Sequence, residues 1–192
     1  GYCYLLSDCG GVYLGGATGT VIQNNLVSGG VGNRQGIPKS LQTLVDGVYL
    51  DGSNSYVSVV DNILADGDYG VQTHNGHHNT IQRNIFYANR NNSILLQETG
   101  NSEREQGNIH ANKILDNGFF MTSGGAANRN IAKVENTYDF SIYDANLYSV
   151  LFSSFIAAES SPKTSRTFNF DDWRNAMDDQ NVSRNLDRYA KI

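Results

Sequence analysis

The chain has 192 residues and a formal net charge of −5, which gives length for one domain with a real core and argues against nucleic acid or an anionic membrane as partner. Only 17% of residues are charged and Pro numbers 2, so the composition is not that of a disordered chain. No apolar run approaches the roughly 18 residues that a membrane-spanning helix needs.

Gly (20) and Asn (23) are abundant, and both tolerate the left-handed backbone of tight turns. Cys3 and Cys9 either form a disulfide or are two small buried side chains. No CxxC pair or Cys/His cluster has zinc spacing.

In chain order, Gly11-Val12-Tyr13-Leu14-Gly15 is the first copy of a phrase that returns as Gly47-Val48-Tyr49-Leu50-Asp51, 36 residues later. It returns again as Gly70-Val71-Gln72-Thr73-His74 and Ser93-Ile94-Leu95-Leu96-Gln97, in steps of 23 residues. Gly118-Phe119-Phe120-Met121-Thr122 reads as a fifth copy, 25 residues after Ser93. A fixed period of this size is the mark of a solenoid.

A second pattern, an aliphatic residue, two variable positions and Asn, follows each phrase at Ile22–Asn25, Val59–Asn62, Ile81–Asn84 and Ile109–Asn112. Both patterns alternate with period 2, so they are strands. Turn clusters at Asp66-Gly67-Asp68, Asn75-Gly76 and Asn89–Asn92 separate them. Two short strands and two turns per coil predict an all-β, right-handed parallel β-helix, and the Leu-x-x-Leu-x-Leu spacing of leucine-rich repeats is absent. Asn25, Asn62, Asn84 and Asn112 are expected to stack as a ladder that satisfies backbone groups in a bend.

Residues 28–46 break the period and read as an inserted loop carrying Arg34, Gln35 and Lys39. Coils are expected over 1–159, with Tyr138–Ser153 as a degenerate one. Residues 160–192 are expected to cap the solenoid through a short helix near Asp171-Asp172-Trp173-Arg174. The chain begins inside what reads as a repeat, so it is expected to be the C-terminal part of a longer protein.

Alternation sends Val12, Leu14, Val48, Leu50, Val71, Thr73, Ile94, Leu96, Phe119 and Met121 inward. The outward columns are then Gly15, Asp51, His74, Gln97, Thr122 and Tyr13, Tyr49, Gln72, Leu95, Phe120. Coils lie about 4.8 Å apart, so Asp51 and His74 come within hydrogen-bonding reach. A carboxylate, an imidazole, amides and two tyrosines suit a sugar, which presents hydroxyls and apolar ring faces. His74, His77 and His78 fall within five positions and are a conceivable metal set. Their spacing matches no dedicated site, so neither metal nor cofactor is expected.

Glycoside hydrolysis needs a second carboxyl group. Asp8 is the first candidate, Asp46 the reserve, and Glu98 is expected to point inward.

Several phrases resemble a known family. Asp8-Cys9-Gly10-Gly11-Val12-Tyr13 is similar to its Asp-Gly-Gly-Ala-Ile-Tyr, and Gly47–Ser53 to its Gly-Ile-Tyr-Leu-Asp-(Asp/Glu)-Gly-Ser. The run from His74-Asn75-Gly76-His77-His78-Asn79 through Phe86 is similar to its His-x-Gly-x-x-Asn-x-Ile-x-x-Asn-Ile-Phe. Asp144–Tyr148 and the Asp171-Asp172-Trp173 segment resemble later stretches. The family is the β-helix glycoside hydrolases, near the group acting on fucosides and xylan (glycoside hydrolase family 141).

The resemblance implies catalysis by two aspartates at the positions of Asp8 and Asp51. Cys9 stands where that family has Gly, and Gly52 follows Asp51 without the extra acidic residue.

The expected function is therefore hydrolysis of a polysaccharide or oligosaccharide by Asp8 and Asp51. Tyr13, Tyr49, Gln72, His74, His77 and Gln97 are expected to contact substrate, in a secreted, extracellular or periplasmic setting. The alternatives are a polysaccharide lyase or epimerase, for which Arg34, Lys39, Arg83 and Arg90 are the nearby cations, and a non-catalytic glycan-binding or structural β-helix such as a tailspike or adhesin piece.

Overall fold

The computed structural model describes residues 1–35, 43–98, 109–122, 126–131, 141–150, 157–160, 165–178 and 188–190. Each coil holds three strands, one more than the sequence pattern predicts. The first coil contains β1 (Asp8–Gly15), β2 (Val21–Gln23) and β3 (Leu26–Ser28), and the second β4 (Leu44–Asp51), β5 (Ser58–Val60) and β6 (Ile63–Ala65). The third contains β7 (Tyr69–His74), β8 (Thr80–Gln82) and β9 (Ile85–Tyr87), and the fourth β10 (Asn92–Gln97), β11 (Asn112–Leu115) and β12 (Gly118–Met121). A fifth holds β13 (Ala126–Ile131), β14 (Ser141–Asp144) and β15 (Leu147–Val150).

Corresponding strands pair in parallel to give three sheets, β1-β4-β7-β10-β13, β2-β5-β8-β11-β14 and β3-β6-β9-β12-β15. Val48, Leu50, Val59, Leu64, Val71, Ile81, Phe86, Ile94 and Leu96 fill the space between them. Stacking repeats a side chain every coil, so Phe86, Phe119 and Tyr148 form a near-parallel ring stack with centroids 5.0 Å apart.

The register corrects the assignment of Gly118–Thr122. This segment pairs with Ile85–Tyr87 and Leu147–Val150 and belongs to the third sheet. The strand that follows β10 in the first sheet is β13, with Gln97 opposite Ile131. Thr122 and Phe120 therefore leave the outward columns. All three sheets face one core and share the same period-2 signature, so the pattern alone cannot say which sheet a strand joins.

The Asn ladder is also reassigned. In the bend between the second and third sheets, the Oδ1 of Asn62, Asn84, Asn117 and Asn146 accepts from the backbone N–H of Asn25, Asn62, Asn84 and Asn117 respectively, at 2.9–3.0 Å. Asn112 belongs to a second ladder with Asn79, in the bend between the first and second sheets, where the Asn112 Oδ1 accepts from the Asn79 N–H and the Asn79 Oδ1 from the Val57 N–H. Asn54, Asn62, Asn79, Asn84, Asn112, Asn117 and Asn146 are all buried.

Turns need a left-handed residue each, and several are not glycine. Tyr56, His78 and Ala111 occupy this conformation in the first bend, and Asn24, Asp61, Arg83, Asp116 and Ala145 in the second. Asn24, Asp61 and Asp116 take this conformation at low steric cost, whereas Tyr56, His78, Arg83, Ala111 and Ala145 are held in it by the stacked coils.

After β16 (Ala157–Ser160), β17 (Ser165–Phe168) turns back antiparallel on it. Helix α1 (Phe170–Asp178) follows, with β18 (Arg188–Ala190) pairing onto β15. The Asn169 side chain caps α1 by accepting from the Asp172 N–H at 2.9 Å. The helix lays the buried Trp173 ring against Tyr143 and Phe168. The described residues contain no helix long and apolar enough to cross a membrane.

The inserted segment after β3 returns to regular structure at Leu44, so Leu44–Asp46 already form strand. Lys39 lies outside the described residues.

Candidate active site

The small first residue of each phrase shapes the site. A Cβ on Gly47 would stand 2.6 Å from the Gly70 carbonyl and 3.3 Å from Leu64, and a Cβ on Gly70 would stand 2.6 Å from the Ser93 carbonyl and also press on Phe86. These positions face inward, and so do the next ones, Val48 and Val71. Two consecutive inward residues break the alternation and turn the strand through a corner.

The hydrogen-bonded ladder is interrupted there, between Gly10–Asp46 and Val12–Val48. Residues on either side of the corner, Asp46 and Tyr49, consequently face the same outer side. The crease is close, since a Cβ on Gly10 would lie 3.0 Å from the Tyr49 Cβ.

Asp51 ends β4 and has Gly15 opposite it on one side. Its Oδ1 meets His74 Nδ1 at 2.8 Å, and its Oδ2 accepts from the Tyr13 hydroxyl. With Asp51 ionised, His74 is the donor from Nδ1. Burial pushes the Asp51 carboxyl up, but the bonds from Tyr13 and His74, the His74 charge and the Tyr49 hydroxyl outweigh it and hold the group below its ordinary value. Asp51 and His74 remain about a quarter exposed, at 29% and 26%. Tyr13 is pushed up to about 12, first by its hydrogen bond to Asp51.

Asp8 lies one coil before Asp51 but is not opposite it. It opens β1 opposite Leu44, seven positions from the Gly15 that faces Asp51. The corner nonetheless brings the two carboxyls into electrostatic contact. Burial first, then the Asp51 charge, raise Asp8 above the usual carboxylate value, while His74 opposes them. The Cys3–Cys9 disulfide anchors the chain beside Asp8.

The Tyr13 and Tyr49 rings meet edge to face at 5.1 Å. Tyr13 is half exposed and Tyr49 is buried. Gln72 is also buried, and its Nε2 donates to Gln97 Oε1 at 3.2 Å. The outward tyrosine column is thus open at its Tyr13 end and covered from Tyr49 through Gln72 to Leu95. His77 does not join this group. It lies past the next turn, bridged to Ser55 and clustered with His78 and His110. Glu98 follows the Gln97 that ends β10 and is half-buried.

Asp46, the reserve carboxylate, is fully buried, and neither of its side-chain oxygens has a partner among the described residues. Burial, followed by the Asp8 and Asp68 charges, holds its carboxyl well above the ordinary range. The Gly47 corner hides this in the sequence, because strict alternation from Val48 would send Asp46 to the core side.

A carboxyl raised on folding stabilises below its unfolded pKa of about 4 and loses that contribution as pH climbs toward the folded value. Urea midpoints should therefore fall as pH rises above about 4, and Asp46→Asn should flatten that slope. Parallel slopes for the two proteins would mean that Asp46 is not held protonated.

Three parallel sheets wound around one core, with carboxyls gathered at a strand corner, define a parallel β-helix of the carbohydrate-active or structural kind. The family model for the right handed beta helix region matches residues 6–153, and the chain belongs to that family. No curated protein and no solved structure matches it.

Proposed function

We propose that this β-helix is a glycoside hydrolase acting on a polysaccharide or oligosaccharide, with Asp8 as general acid and Asp51 as base or nucleophile. The observation that carries the reading is the unlike surroundings of two neighbouring carboxyls: Asp51 is held by the Tyr13 hydroxyl and by His74 Nδ1 at 2.8 Å, which keep it low, while burial and the Asp51 charge push Asp8 up. Glycosidases use such a split, since one group must hold a proton while the other is ionised. His74 and Tyr13 keep Asp51 charged and fixed, and the exposed Tyr13 ring offers a sugar an apolar face. A site outside the reducing cytosol agrees with the Cys3–Cys9 disulfide.

The lyase alternative is weaker. It needs a cation to neutralise a uronate, and Arg83 is held by both oxygens of Asp61 while Arg90 is held by Asp68 and the Gly30 carbonyl.

The test is digestion of a glycan panel. Reducing ends should appear with the wild type and not with Asp8→Asn. Products carrying an ultraviolet-absorbing double bond would replace the hydrolase with a lyase, and binding without cleavage would leave a glycan-binding β-helix.

A further inference from the structure

Sequence spacing groups His74 with His77 and His78, but the fold breaks that group. His74 is committed to Asp51, and the third member of the cluster is His110 from the next coil. Nitrogen atoms of His77, His78 and His110 all lie within 4.8 Å of one another.

Two backbone features build this convergence. His77 and His110 occupy equivalent places in successive coils, so their rings stack at 4.9 Å with only 14° between planes. His78 has a φ of 56°, and this left-handed turn swings its ring across the stack, nearly perpendicular to both neighbours. Its Nδ1 stands 2.9 Å from His77 Nδ1.

The cluster stands on a hydrogen-bonded bend. The His77 N–H donates to the Asn54 carbonyl and the His78 N–H to the His110 carbonyl. Asn79, the next residue, and Asn112, two beyond His110, form a buried ladder, and the Asn79 amide also donates to the Asn54 carbonyl. The Tyr56 ring packs on His78 at 5.0 Å. Ligands fixed on a rigid frame lose little freedom on binding an ion.

We propose that His77, His78 and His110 form a binding site for a borderline-soft divalent metal ion, with Zn²⁺ as the reference ion. Imidazole nitrogens are the donors such ions favour. A tetrahedral ion with bonds of about 2.0–2.1 Å sets its ligand atoms about 3.3 Å apart. Binding would close the three nitrogens to that spacing as the His77 and His110 rings tilt out of their stack toward the ion. Three protein ligands leave the fourth position to water or a substrate group. The site joins two successive coils, so the ion clips the solenoid across the Asn112 bend. This assignment gives His77 a role other than sugar contact and is independent of the glycosidase reading.

The experiment is calorimetric titration of the whole chain with zinc chloride, paired with cobalt(II) absorption spectra. The expected result is one ion per chain, the visible bands of a four-coordinate cobalt site, and a rise in thermal midpoint with added zinc. His110→Ala and His77→Ala should each weaken zinc binding at least about tenfold, while His74→Ala binds as the wild type does. Circular dichroism checks that each variant is folded. No stoichiometric binding by the wild type, unchanged binding by folded His110→Ala, or loss confined to His74→Ala would each overturn the assignment.

Discussion

Replacing Asn84 with alanine should cost the fold about 3–5 kcal/mol, a large part of the stability of an ordinary domain. The Asn84 Oδ1 accepts from both the backbone and side-chain nitrogens of Asn62, and its Nδ2 donates to the Val59 carbonyl and to Asn117 Oδ1. Alanine takes the acceptor from the Asn62 backbone N–H and a donor from the Val59 carbonyl, inside a bend that water does not reach, at about 1–3 kcal/mol for each stranded group. Asn25, at the exposed end of the same ladder, supplies the control. Its side chain donates to Gln23 O and Asn62 Oδ1 near solvent, where water can substitute, so Asn25→Ala should cost about 1 kcal/mol or less. Urea denaturation of the two variants measures the difference. Equal losses would mean that the ladder does not carry the bend.

Asp51→Asn should lower kcat/KM for glycan hydrolysis by about 10²–10⁴-fold, the range for loss of a positioned acid–base group. The amide matches the carboxylate in shape, so the protein should stay folded. The pH profile adds a readout that misfolding would not imitate. On the proposed hydrolase reading Asp51 works ionised and Asp8 protonated, so activity should rise with Asp51 at a pH below the usual carboxylate value and fall with Asp8 above it. The optimum is therefore acidic. Tyr13→Phe removes one bond that holds Asp51 down and should move the acidic limb to higher pH. An Asp51→Asn protein with full turnover, or a Tyr13→Phe limb that stays in place, would remove Asp51 from the chemistry.

The solenoid was legible because stacking repeats the same demands every coil. The Gly47, Gly70 and Ser93 column recurs because a larger side chain there meets the backbone of the next coil or the third sheet. The Asp51–His74 contact was legible for the same reason, since a 23-residue step is one turn of the helix. Legibility failed where coils change length. Ile94 pairs with Asn128 across a much longer coil, so counting forward from Ser93 reached β12 of the third sheet instead of β13. The same lengthening placed Asn112 in the wrong ladder and hid His110 from His77.

The sequence alone determined that apolar and polar residues alternate, that small residues punctuate the strands, and that the phrase repeats. These are local properties of each strand, and they suffice for a parallel β-helix with Asp51 beside His74. Only the tertiary structure decided which sheet each short strand joins and that the corner at Gly47 turns Asp46 away from the core. It likewise decided that three histidines from two coils converge. Those outcomes depend on hydrogen-bonded register between segments far apart in the chain, and a period-2 pattern carries no information about register.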